Sequence, residues 1–148
     1  MADTQQNNAE HIRVWLRENC PAIEKKVRFG VNFLQGQGKE YGIITIPSQL
    51  RTRENILGEE VPLDEQTQSF FFAAWLPYTQ DISQHNANLA FFQTVIGWLW
   101  ERNAAHDFPE WGGGRIKSIV PTLTADIARA TASEAEYRIQ IKVTYRRA

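Results

Sequence analysis

Cysteine is nearly missing from this chain. Cys20 stands alone, so no disulfide forms within one copy and no cysteine cluster can bind zinc. A lone thiol fits a reducing cytoplasm. Charge of one sign is missing too. With 16 basic and 17 acidic residues the formal net charge is −1. A protein that grips phosphates shows a basic excess or stripe, so sequence-specific nucleic-acid binding is not expected. Long apolar runs are also scarce. The longest, Ala87 to Trp100, is too short to span a bilayer and contains Asn88 and Gln93. The first nine residues, Met1 to Ala9, lack the charged-then-apolar pattern of a signal peptide. Together these features predict a chain made in a cytoplasm, with no membrane partner.

Chemistry-bearing motifs are equally sparse. His11, His85 and His106 share no metal-ligand spacing. Cys20 falls at a helix C-terminus, where the helix dipole disfavours a thiolate, and no histidine is near it in sequence. Gly36-x-Gly38 lacks the third glycine and the following helix of a dinucleotide site. Gly112-Gly113-Gly114 comes after a helix and before a strand, the reverse of a phosphate cradle. Glu59-Glu60 and Asp64-Glu65 lack the spacing of a calcium loop. The chain is therefore expected to have no catalytic residues, no cofactor and no metal.

What the chain does have is a core. Its 148 residues are 43% hydrophobic and 11% aromatic, enough for one folded domain over residues 9–148 behind a flexible stretch 1–8. Ile12, Trp15 and Leu16 share one face of a helix over about Ala9–Asn19, stopped by Pro21. Val27, Phe29, Val31 and Phe33 then alternate as a strand. The turn Gln35-Gly36-Gln37-Gly38 suggests that it pairs back as a hairpin with Tyr41–Ile46. Residues 48–66 are polar and charged, with Asn55-Ile56-Leu57-Gly58 at the tip of a projecting hairpin or loop. Ser69–Leu76, apolar at nearly every position, reads as a central strand covered on both sides. Asp81 or Ser83 caps a second helix over about Gln84–Asn103. A short strand, Arg115–Val120, ends at Pro121, and residues 122–135 are small and polar. Tyr137, Ile139, Ile141, Val143 and Tyr145 form the apolar face of a last strand. The predicted class is α+β: a mixed, mainly antiparallel sheet packed with an N-terminal helix and one long central helix.

Interaction candidates come from two features. Successive helical positions turn by about 100°, so Trp98, Leu99 and Trp100 cannot all face the core, and at least one tryptophan is expected to leave it. Trp111, beside three glycines, is a second exposed candidate. Arg138, Lys142 and Arg146 form a basic row on the polar face of the last strand, and Arg51, Arg53, Glu59 and Glu60 charge the 48–66 excursion.

Several stretches resemble the tail terminator (tail completion) proteins of tailed bacteriophages and related contractile particles. They are the opening helix His11-Ile12-Arg13-Val14-Trp15-Leu16, the hairpin ending Tyr41-Gly42-Ile43-Ile44-Thr45-Ile46-Pro47-Ser48, the helix segment Asn88-Leu89-Ala90-Phe91-Phe92-Gln93, and the pair Gly114–Ile119 and Tyr137–Tyr145. The resemblance implies a non-enzymatic structural protein that assembles as a ring, commonly a hexamer, on the head-proximal end of the tail tube. It implies as partners other copies of the chain, the tail tube protein, and head-completion, neck or sheath proteins. It implies synthesis in a bacterial host and incorporation into a virion or tail-like particle. A head-closure or neck protein fits the same residues. Two other classes stay open: an enzyme or ligand-binding domain whose strand Phe70–Trp75 lines a pocket near Asp81 or His85, and a dimeric secretion-chaperone-like module.

Overall fold

The computed structural model describes residues 7–32, 34, 38–77, 82–131 and 133–147. Two helices, α1 (Asn8–Asn19) and α2 (Ile82–Ala105), accompany seven strands. These are β1 (Arg28–Val31), β2 (Glu40–Thr45), β3 (Thr52–Glu54), β4 (Glu60–Pro62), β5 (Glu65–Pro77), β6 (Gly114–Ala130) and β7 (Glu134–Arg147). Five of the strands make one sheet in the order β1-β2-β5-β7-β6, while β3 and β4 pair separately. The predicted α+β class holds: helices segregate to one face of a mainly antiparallel sheet.

The helices end where their local chemistry dictates. The Asn7 side chain accepts the Glu10 amide at 3.0 Å and caps α1, whose Ala9, Ile12, Trp15 and Leu16 are buried. The Cys20 amide bonds to the Leu16 carbonyl, and Pro21 follows. Helix α2 begins two residues earlier than expected, so Ser83 lies inside it; Asp81 lies outside the described residues. Its buried stripe is Asn88, Phe92, Val95 and Leu99, at helical spacing. His106, in the left-handed region at φ 54°, turns the chain out of α2, and the Asp107 amide bonds back to the Arg102 carbonyl at 3.0 Å.

Two strand expectations need correction. β1 and β2 do not form a hairpin; they run parallel, with Phe29 beside Tyr41 and Val31 beside Ile43. Alternation specifies which side chains share a face, not which way the strand runs. Asn32, at φ 59°, ends β1. Its amide bonds to the Ile43 carbonyl at 2.8 Å and its side chain accepts the Thr45 amide at 2.8 Å, so the parallel ladder is capped by one residue. The rest of the expected turn, residues 35–37, lies outside the described residues, as does Phe33. The second correction is β6, which does not stop at Pro121. It runs for 17 residues through the stretch that had looked too small and polar, with register shifts on either side of Leu123. β6 is an edge strand, and an edge tolerates a residue without an N–H. The shifts and the proline also blunt that edge against pairing with foreign strands. At its start, a Cβ on Gly114 would sit 2.1 Å from the Arg146 carbonyl oxygen, so only glycine allows this approach.

One cluster of buried side chains joins both helices to the sheet: Ile12 and Leu16, Phe92 and Leu99, Phe72 and Ile139 meet within it. Each such side chain contributes roughly 1.5–3 kcal/mol by leaving water. β5 is the central strand, as expected, but its two faces are covered differently. Phe70, Phe72, Ala74 and Leu76 face the helices. Phe71, Ala73 and Trp75 face the other way, where no helix lies.

Candidate functional site

The hairpin β3–β4 carries an apolar tip in an acidic collar. Asn55 organises the tip: its Oδ1 accepts the amides of Leu57 at 2.9 Å and Glu59 at 3.0 Å, and Gly58 supplies the positive φ of 80°. Ile56 is fully exposed and Leu57 is 78% exposed. Glu54, Glu59 and Glu60 flank them, against the single guanidinium of Arg53. The hairpin base is held by Gln66, which is buried. Its Oε1 accepts the Arg51 amide at 2.9 Å, and its Nε2 donates to the carbonyls of Arg51 and Leu63 at 2.8 Å each. One side-chain amide thus mimics a strand pairing and fixes the angle at which the hairpin leaves the sheet. Arg51 itself stays at the base, 3.7 Å from Glu65. The Lys117 ammonium, at 2.9 Å, holds the Glu65 carboxyl below the usual carboxylate range.

The helix-free face of the sheet carries the second surface. Trp75 on β5 sits in register between Glu40 on β2 and Glu136 on β7. Both glutamates are 1% exposed and Trp75 is 3% exposed. Arg28 meets Glu40 at 2.8 Å; Arg129 and Arg138 both direct Nε at Glu136, at 2.8 and 2.5 Å. The Arg129 guanidinium lies 5.2 Å over the Trp75 ring, and that of Arg138 lies 5.1 Å over Phe71. Across β5, Leu34 packs onto Gly42. Between these walls runs a cleft of about 380 Å³, lined by Asn32, Leu34, Ile44, Arg129, Glu136 and Arg138. Two guanidiniums against one carboxylate leave this cleft electropositive, with an aliphatic wall opposite.

The remaining candidates divide between core and surface. Trp100, 50% exposed, is the tryptophan that leaves the α2 stripe. Trp98 stays inside: its ring lies 4.8 Å from that of Trp15, with Arg102 over it at 5.9 Å. Trp111 is not a surface residue. It is buried against Phe70 and Tyr145, because the glycines after it let β6 turn back over the sheet and close it in. The basic row is also not uniform. Arg138 is engaged by Glu136 and Phe71, whereas Lys142 and Arg146 are exposed. Arg146 joins Arg115 and Arg147 around an open depression at the end of β6 and β7.

For the pocket reading, His85 Nδ1 lies 2.8 Å from the Tyr137 hydroxyl, and buried Asn88 donates to the Pro77 carbonyl at 2.7 Å. This network ties α2 to β5 and β7. Burial pushes the Cys20 thiol up. Among the described residues no three His, Cys, Asp or Glu side chains gather as metal ligands, and no helix is long and apolar enough to cross a membrane. Gln66, Glu40, Glu136 and Leu34 escaped the sequence reading. A signal was available only for Glu136, an acid on the same alternation of the last strand as Arg138, Lys142 and Arg146, which Glu134 also shares. Neither a scan against protein-family models nor a search of curated proteins returns a match to this chain, so its residues and their geometry carry the functional reading.

Proposed function

We propose that this chain is a structural subunit of a phage tail or tail-like particle, resembling tail terminators. Copies of it assemble into a ring, a hexamer in the reading we favour, that caps the head-proximal end of the tail tube and offers a docking surface to the head or neck. The observation that supports this is the placement of exposed apolar side chains. Ile56 and Leu57 stand on a projecting hairpin, and Trp100 stands on the outer side of α2. Large apolar side chains gathered at a hairpin tip mark binding surfaces more than solvent-facing ones. A head-to-tail ring requires each copy to offer one surface and receive a different one, and the projecting tip is suited to be the surface offered.

The test is mass in solution by light scattering across concentrations, with negative-stain images taken with and without purified tail tubes. Six copies of the 17.0 kDa chain weigh about 102 kDa. A particle of that mass, or a monomer that caps tube ends, is the expected result. A stable dimer, or a monomer that ignores tubes, overturns it. Rings that bind isolated heads and not tubes would assign the chain to head closure.

A further inference from the structure

We infer that neighbouring copies join by seating the β3–β4 hairpin tip of one copy in the arginine-lined cleft over β5 of the next. This rests on the ring proposed above and identifies the two surfaces that form it. The tip offers two aliphatic side chains, Ile56 and Leu57, inside a collar of Glu54, Glu59 and Glu60. The cleft offers the complement: Leu34 and Ile44 on one wall, Arg129 and Arg138 on the other. Both arginines direct Nε at Glu136, and among the described residues no hydrogen bond engages their Nη atoms. Those Nη groups are placed to receive a carboxylate by charge-assisted bonds.

An apolar cleft between α2 and β6 fits this tip less well. It is lined by Leu89, Phe92, Gln93, Ile96, Thr124 and Ala125, and so presents no charge to three glutamates. The hairpin also has the reach. From Arg51 to Ile56 an extended strand advances about 17 Å at ~3.3 Å per residue, enough to cross onto a neighbour. Its shape is set before contact, by Asn55 at the tip and Gln66 at the base, so little order remains to be imposed on docking. Because tip and cleft are different patches, each copy gives one and receives one, and the contact propagates until the ring closes.

Two variants of the full chain test this. Ile56→Asp/Leu57→Asp should leave the circular dichroism and thermal unfolding of the monomer unchanged and raise the dissociation constant for self-association at least about 100-fold. Leu57→Cys/Ile44→Cys, oxidised at low concentration, should give a ladder of disulfide-linked oligomers on a non-reducing gel; either single variant should stop at dimer. Buried Cys20 stays out of the reaction. Wild-type oligomers that survive the double aspartate, or a double-cysteine variant without a ladder, would overturn this docking and leave the ring standing. A wild type that stays monomeric with and without tubes overturns the ring and this contact together.

Discussion

Replacing Gln66 by Leu should cost about 2–3 kcal/mol of stability and release the hairpin while the sheet persists. The side chain makes three hydrogen bonds to backbone groups, at 2.9, 2.8 and 2.8 Å. Each contributes about 0.5–1.5 kcal/mol net, and more where the orphaned partner stays dry. Arg51 is exposed, so water recovers part of the loss at its N–H and C=O, which places the sum in the middle of that range. For a chain of this length the cost lowers the melting temperature by about 5–10 °C. Urea unfolding followed by tryptophan fluorescence reads the first effect. Amide hydrogen exchange reads the second: residues 52–62 should exchange faster while β5 and β7 keep their protection. Gln66→Glu sharpens the test. A carboxylate still accepts the Arg51 N–H but cannot donate to the two carbonyls. Its folded-state pKa is then raised, so its penalty is largest at neutral pH and shrinks as pH falls through that value. A Leu variant within about 0.5 kcal/mol of wild type, or one whose exchange increases in the central sheet and not in the hairpin, would refute the clamp.

Trp98→Ala should destabilise the monomer by roughly 2–4 kcal/mol, because it removes a ring packed on Trp15, whereas Trp100→Ala should change stability by less than about 0.5 kcal/mol; paired urea titrations decide between them. Glu10 is held below the usual carboxylate range first by its hydrogen bond from Arg13, so its contribution is fully present above about pH 4.3 and is lost as pH falls through the lowered folded value; Glu10→Gln should flatten the stability profile in that window, measured by unfolding between pH 6 and pH 2. Gly114→Ala should open the end of the β6–β7 ladder and lower the melting temperature by several degrees, because the new methyl meets the Arg146 carbonyl. Arg138→Glu should destabilise the monomer by more than about 2 kcal/mol by placing a second carboxylate beside buried Glu136, whereas Lys142→Glu on the exposed end of the same row should leave it folded; thermal melts of both separate the two.

Periodicity made the helices and the faces of the strands legible. Ile12, Trp15 and Leu16 could share a side only in a helix, and Tyr137 to Tyr145 could share one only in a strand. The tip at Asn55-Ile56-Leu57-Gly58 was legible from its turn chemistry, and the departure of one tryptophan from α2 from helical geometry alone. Strand direction was not. β1 alternates identically whether it runs with β2 or against it, and the decision lies in Asn32, whose positive φ and side-chain bond to Thr45 leave no pattern in the sequence. Nor was the length of β6, since a proline stops a central strand but not an edge, and edge position is a property of the whole sheet. Trp111 misled because glycine neighbours suggest exposure; here they allow the chain to fold over the ring. Gln66 was invisible because its partners, Arg51 and Leu63, are backbone groups whose positions any sequence could supply.

The helix-free face follows from one mismatch between pattern and layers. From Phe70 to Leu76 β5 is apolar on both faces, yet helices cover only one of them. Phe71 and Trp75 would then stand in water, at a cost of roughly 1.5–3 kcal/mol for each side chain left exposed. Guanidiniums supply the missing layer: Arg138 over Phe71 and Arg129 over Trp75, each also bonded to Glu136. That arrangement requires Glu136 to be buried, because a carboxylate at this position is what holds two like-charged planes side by side. Such a cover differs in kind from a helix. It consists of two long side chains with rotatable stems, and it keeps a net positive charge that a third layer of leucines would lack. An acidic segment with aliphatic side chains can therefore pack onto this arginine cover without breaking any backbone pairing of the sheet. The same two arginines that cover Phe71 and Trp75 are the groups that would select that segment.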